Sequence, residues 1–536
     1  MATRRQPLSK ATLAPGLLAA TLLISVALLA FGALWQQAPV TGSLALWRDE
    51  YLMTVLRFSF FQALLSTTLS VLPAIPLARA LCRRRFWGKT TLLRLCAMTL
   101  VLPVLVVIFG ILSVYGRSGW LAALCSLLAV PYTFTPYGLQ GILLAHVFFN
   151  LPLATRLLLQ ALEQIPGEQR QLAAQLGIRG WNHFRIVEWP WLRRQLLPTA
   201  ALIFMLCFAS FATVLALGGG PKATTLELAI FQALSFDFDP GRAALLALLQ
   251  IICCLGLVIL SQRLSKGMPS GSANVHGWIN PEDSITARVI DTVLIAAALL
   301  LLLPPLLAVM VDGLNRGLPG VLRQPALWQA TFTSLRIALG AGILCVVLTL
   351  MLLWTSRELR LHQQLWMGQA LELSGMLILA MPGIVLATGF FLLLNNTIGL
   401  PQSAEGIVIF TNALMAVPYA MKVLENPLQD TAARYNLLCL SLGIRGWNRL
   451  WLVELRALRH PVAQALAFSC VLSVGDFGVV ALFGNESFRT LPFWLYQQIG
   501  AYRSADGAVT ALLLLLLCFL LFTLIEKLPD RHADTE

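Results

Sequence analysis

The 536 residues are 58% hydrophobic and 12% charged, with a mean hydropathy of +0.77. A chain this long cannot cover a water-facing surface with so little polarity, so the soluble globular classes are excluded and the bilayer is the solvent. The net charge of +13 would point to nucleic acid in a soluble protein. Here it is better read by where Lys and Arg fall, and no nucleic-acid partner is expected.

In chain order, Arg4, Arg5 and Lys10 precede an apolar run from Leu17 to Leu34. The run is longer than the apolar core of a signal peptide and no small-x-small site follows, so it is expected to stay as a first spanning helix. Apolar segments then recur, beginning at about 15, 53, 95, 137, 198 and 242 in the first half and about 288, 330, 370, 406, 463 and 508 in the second, about twelve in all. The expected fold is an all-α polytopic membrane protein. With the N-terminus inside, the cytoplasmic segments hold about 25 basic residues and the opposite loops about 7, which places both termini in the cytoplasm. Much of that excess is Arg83, Arg84, Arg85 and Lys89, together with the loops after the fourth and tenth spans.

Gly88-Lys89-Thr90-Thr91 imitates the end of a phosphate-binding loop. The first glycine of that motif would fall on Arg83, and no strand precedes it, so ATP must be handled by another chain.

The organising feature is a self-match. Leu176-Gly177-Ile178-Arg179-Gly180-Trp181-Asn182 reappears as Leu442-Gly443-Ile444-Arg445-Gly446-Trp447-Asn448. The same offset of about 266 residues pairs Pro152 with Pro418, Val187-Glu188 with Val453-Glu454, Phe211 with Phe477 and Gly218 with Gly484; a slightly larger one pairs Pro103 with Pro382 and Gly110 with Gly389. Two transmembrane domains follow, at 1–262 and 289–536, joined by a polar cytoplasmic linker at 263–288. An even number of spans per copy makes the repeat parallel, so both repeated loops, at about 161–197 and 425–462, are expected on the cytoplasmic side.

Each loop begins in helix-forming sequence, turns at Gly177 or Gly443, and resumes amphipathically. Ile178, Trp181 and Phe184 form an apolar edge, with Arg179 and Arg185 beside it, a pattern suited to docking a soluble partner.

Among intramembrane polar groups Asp476 stands out, because charge at that depth is costly and tends to mark pathways. It could meet a cation or pair with an Arg such as Arg336. The first copy carries Ser210 at the matching position, near Thr213. The segments Gly218 to Gly241 and Gly484 to Gly507 read as outer loops long enough to meet a binding protein. Ten cysteines and six histidines show no metal or catalytic spacing, so neither catalysis nor a cofactor is expected.

The repeated loops resemble the signature of permease subunits of bacterial ATP-binding-cassette importers: Glu-Ala-Ala, three residues, Gly, nine residues, then Ile-x-Leu-Pro. Gly177 through Val187-Glu188-Trp189-Pro190 matches at that spacing. The Glu-Ala-Ala positions are Gln171-Leu172-Ala173 and Leu437-Leu438-Cys439, and Arg456 replaces the second closing proline. Over its length the chain is similar to the fused two-copy permeases of the ferric-iron and thiamine importer group. Within it the likeness is strongest to thiamine and thiamine-pyrophosphate permeases, through Ser210-Phe211-Ala212-Thr213-Val214-Leu215 and Gly475-Asp476-Phe477-Gly478.

The resemblance implies two tandem MetI-like transmembrane domains in a bacterial inner membrane. It also implies a homodimeric ATPase on the cytoplasmic face, a periplasmic substrate-binding protein, and thiamine and its phosphates as cargo. Carried onto this chain, Gln171, Ala173, Gly177, Ile178, Arg179 and Trp181, with Gly443, Ile444, Arg445 and Trp447, would meet the ATPase. Ser210, Thr213 and Asp476 would lie on the substrate path. Ferric iron or another small solute is the alternative cargo. A secondary transporter is the alternative of another class, which several intramembrane carboxylates would favour.

Overall fold

Inside hydrocarbon a backbone amide has no water to bond to, so a chain this apolar must satisfy its amides within helices. The computed structural model describes residues 10–38, 50–99, 101–220, 223–264, 284–395, 400–444, 446–484 and 488–527, and no strand occurs among them. The 263–288 linker and Arg445 lie wholly or largely outside these residues.

Among the described residues nine helices are long and apolar enough to cross a membrane, and eleven if each of two bent pairs counts as one span. The twelfth expected segment, from about 370, is present but broken. The helix Leu365–Met376 tightens into a 3-10 turn at Leu377–Ala380, and a new helix runs Gly383–Asn395. Pro382 explains the break: its ring drives the preceding residue out of helical geometry, and Met381 is extended at φ −115°, ψ 100°. Its repeat partner Pro103 acts alike, standing extended between Lys89–Met98 and Val104–Tyr115. The span expected from about 95 therefore begins at Val104.

The helices gather into two compact units. One comprises residues 43–228 and 252–314. In it Glu50–Arg83, Leu139–Glu163 and Trp189–Phe208 pack together, and Ile285–Gly313 lies along Val104–Tyr115 and Glu50–Arg83. The other comprises residues 1–42, 229–251 and 315–536. There Pro325–Leu361, Leu400–Ser441 and Arg459–Gly475 pack together, Ser504–Lys527 lies against the last of these, and Lys10–Gln37 lies along Pro325–Leu361 and Gly383–Asn395. Each unit thus contains a leading helix from the opposite half of the sequence.

The fit of those leading helices is visible in the residues. Ile285–Gly313 buries Asp291, Ile295, Ala298, Leu302, Pro305 and Ala308 in one stripe, and Lys10–Gln37 buries Ala19, Leu23, Val26, Ala30 and Leu34. The small members of each stripe let backbones approach. The paired glycines receive them. A Cβ on Gly110 would stand 2.3 Å from the Pro305 carbonyl oxygen, and one on Gly389 would stand 2.8 Å from the Ala30 Cβ. The opposite faces carry exposed Leu17, Leu28, Val293 and Leu300, which costs nothing in a lipid solvent.

Candidate functional site

In the first repeated loop the helix Gly167–Gln175 ends on Gly177, whose φ of +67° suits a residue without a Cβ. The Gly177 amide donates to the Ala174 carbonyl at 3.0 Å, and the Ile178 amide donates to Ala173 at 2.9 Å. That pair of bonds is the Schellman C-cap. A second left-handed glycine, Gly180 at +56°, starts one helical turn at Gly180–His183. A π-helical turn at Phe184–Glu188 then leads into Trp189–Phe208.

The second loop repeats the construction. Gly443 at φ +67° donates to Leu440 at 3.3 Å, and Ile444 to Cys439 at 2.9 Å. Gly446 at +53° starts Gly446–Arg449, and a π turn occupies Leu450–Glu454. Arg445 and the side chain of Trp447 lie outside the described residues.

What these turns present is apolar. Trp181 is 70% exposed, with Leu172, Leu176 and Ile186 exposed near it in sequence; Leu437, Leu438, Leu442, Trp451 and Leu452 are exposed in the second loop. Exposed apolar side chains on a capped turn suit contact with another apolar surface. Gln171, Gly177, Arg179 and Gly443 are exposed, Ile178 and Ile444 half-buried. Ala173 and Cys439 are buried beneath their turns, where a small side chain leaves room for the cap.

Each π turn ends on a buried carboxylate. Glu188 accepts from Arg79 Nε at 2.5 Å, and His183 Nδ1 stands 3.5 Å from its other oxygen. Glu454 accepts from Arg357 and from Arg449 Nε, the latter at 2.8 Å. Arg79 and Arg357 belong to the long helices Glu50–Arg83 and Pro325–Leu361. Sequence reading matched Glu188 with Glu454 but missed their partners. A signal was present, since Arg79 and Arg357 recur at nearly the offset that pairs Pro103 with Pro382.

Further along, Trp189–Phe208 is bent by 53° against Phe211–Leu217, and Leu450–Ala457 is bent by 66° against Arg459–Gly475. Ser210 sits at the first bend, half-buried, its hydroxyl donating to the Cys207 carbonyl at 2.8 Å; Thr213 is buried one turn on. Asp476, extended at ψ 132°, separates Arg459–Gly475 from Gly478–Phe483. It faces the amides of Gly478 and Val479 and the Asn412 side chain. Of the two partners the sequence offered it, a cation or an arginine such as Arg336, the second is not formed: Arg336 Nε bonds Glu405 at 2.5 Å, in the neighbouring span.

Glu227, placed by sequence in an outer loop, is buried at the start of the apolar helix Leu226–Ser235 and faces the Phe211 amide. That helix and its counterpart Leu491–Gly500 are not open loops. Their first amides donate to buried serines, Leu226 to Ser59 at 3.0 Å and Leu491 to Ser334 at 2.8 Å.

Known proteins were compared with this chain. It is 74% identical over 536 residues, all of both chains, to the thiamine transport system permease protein ThiP of Escherichia coli (strain K12). It is 73% identical over the same length to ThiP of Salmonella typhimurium. The ThiP of Haemophilus influenzae is 45% identical over 513 residues, 95% of each chain. The model of the binding-protein-dependent transport system inner membrane component matches residues 67–269 and 358–532. Each matched segment holds one glycine-capped turn with its π turn and buried glutamate, as the internal repeat requires. With two family segments covering most of a duplicated, helix-only membrane chain, the protein belongs to the inner-membrane components of binding-protein-dependent transport systems.

Proposed function

We propose that this chain is the permease of a thiamine importer, taking thiamine and its phosphates from a periplasmic binding protein and passing them across the bacterial inner membrane. A homodimer of an ATP-binding-cassette subunit sits on the cytoplasmic face, on the two capped turns, and hydrolyses the ATP. Both termini lie on that face too, as the bias of Lys and Arg argues. The observation that carries the reading is the full-length likeness to the E. coli thiamine permease.

Physical chemistry supports it. The thiazolium ring of thiamine is permanently charged, and a bare cation in hydrocarbon is prohibitive. A path needs a carboxylate shielded from water, which half-buried Asp476 supplies at a helix break, with Ser210 and Thr213 at the matching position of the first copy. The turns supply the docking contacts: exposed Gln171, Gly177, Arg179 and Trp181 with half-buried Ile178 in one, and Gly443, Ile444, Arg445 and Trp447 in the other, with Ala173 packed beneath the first. Closure of the ATPase dimer displaces the turns, and the spanning helices rock between outward-open and inward-open states.

Uptake of radiolabelled thiamine in cells deleted for the chain and then complemented tests this. Complementation restores uptake, and cells still taking up thiamine normally without the chain would refute the cargo assignment.

A further inference from the structure

We propose that Arg79–Glu188 and Arg357–Glu454 are positioning pairs through which each coupling turn moves its spanning helices. This rests on the reading that the turns dock an ATPase. Both pairs join the last residue of a π turn to the cytoplasmic-loop end of a long helix, across 109 and 97 residues of sequence. The second is buried to 2% and 1% side-chain exposure, and the first joins a half-buried arginine to a buried glutamate at 17% and 8%.

Stability alone gives no reason for them. Taking two charges out of water costs about what their attraction returns, and an apolar pair of equal volume packs as well or better. A charge-assisted bond adds direction: its strength falls when the partners slide, whereas an apolar contact slips. The site needs such a fastening. A π turn is a rare single-turn interruption of the α ladder, so a pull on the docking face would stretch Phe184–Glu188 before it moved the bundle. The ion pair bypasses that weak turn.

In the first copy the linkage is continuous. Exposed Trp181 packs tilted against Phe184 with ring centroids 5.0 Å apart, and the Arg79 guanidinium lies 4.3 Å over the Phe184 ring. Arg79 then holds Glu188 and belongs to Glu50–Arg83, which packs along Leu139–Glu163 and Trp189–Phe208. In the second copy Arg449 replaces His183 as the additional partner of the glutamate, and it also bonds Asn436 Oδ1 at 3.0 Å. The copies thus reach one arrangement with different side chains.

The test is made in proteoliposomes holding the full chain, the ATPase subunit that co-purifies with it and the binding protein. ATPase binding and thiamine delivered per ATP are measured separately. Glu188→Ala should cut thiamine per ATP about tenfold while the ATPase still binds. The reversed pair R79E/E188R should recover most of that loss, because His183 beside position 188 is not a fixed cation. R79M/E188L should reach the membrane in normal amount yet stay uncoupled. Normal thiamine per ATP in Glu188→Ala, or full recovery in R79M/E188L, would overturn the proposal in favour of simple packing. If Glu188→Ala does not accumulate, the contrast between the two double variants decides. A wild-type chain that binds no ATPase would instead remove the docking reading beneath it.

Discussion

Gly177 and Gly443 are the residues where sequence and structure agree most closely. Each holds a φ of +67°, and a Cβ built on either meets nothing within 4 Å. Any penalty of substitution is therefore conformational, about 1–2 kcal/mol for a left-handed residue with a side chain. Gly177→Leu is expected to open the cap, free the Ile178 amide from Ala173 and lower thiamine uptake severalfold, whereas Gly177→Asn, which tolerates that conformation, keeps most of it. Uptake by the two variants at equal membrane amount checks the contrast. The turn was legible because a positive-φ glycine leaves a local signature and the repeat printed it twice. Arg79 was not, because its partner is 109 residues away and an arginine near the end of an apolar run reads as an ordinary membrane-boundary charge. Glu227 was hidden for a related reason: its neighbours Thr224, Thr225 and Asp237 read as loop, and only the fold shows the segment turned inward.

At the scale of elements, proline and glycine explain most departures from straight spans. Pro103 and Pro382 set breaks that apolarity averages hide, since a hydropathy window does not register the lost amide of a proline. Gly110 and Gly389 align in the repeat, yet alignment alone does not say what they admit. With Pro305 at 2.3 Å and Ala30 at 2.8 Å from the hypothetical Cβ atoms, Gly110→Leu and Gly389→Leu must push a leading helix outward. Overpacking of this kind costs about 1–3 kcal/mol or more. Both variants should lose thermal stability in detergent, while Gly256→Ala and Gly406→Ala, where a Cβ meets nothing within 4 Å, should be neutral. Equal melting for all four would show that these glycines do not mediate close packing. The π turns offer a matching test. Deleting exposed Ile186 lets Phe184–Glu188 close as an α turn, and one residue fewer rotates what precedes it by about 100°. His183 and Phe184 should then swing away from Glu188 and Arg79, with uptake lost and the chain still inserted.

For the whole molecule, the duplication was legible from seven repeated letters, and the all-helical class from composition. Which helix packs with which half was not, because a leading helix with one small-residue stripe fits either partner equally well on sequence. The Lys10–Gln37 helix packs with residues 315–536, and Ile285–Gly313 packs with residues 43–228. A half-chain made alone therefore lacks one helix of the unit that most of its residues build. It instead carries a leading helix whose buried stripe has lost its seat. Splitting the gene inside the linker, to give residues 1–264 and 284–536, should produce halves that are each degraded when made singly, since Gly110 and Gly389 would face lipid in place of a packed helix. Produced together, the halves can exchange leading helices within the bilayer, where both are already inserted and only side-chain packing must form. Membrane amount and thiamine uptake should then recover jointly. A second-half fragment as abundant alone as with its partner would mean that the Lys10–Gln37 contact contributes nothing to its stability. Removing residues 10–37 from the co-produced first half supplies the complementary measurement: the second half should lose its protection, while contacts inside 43–228 remain.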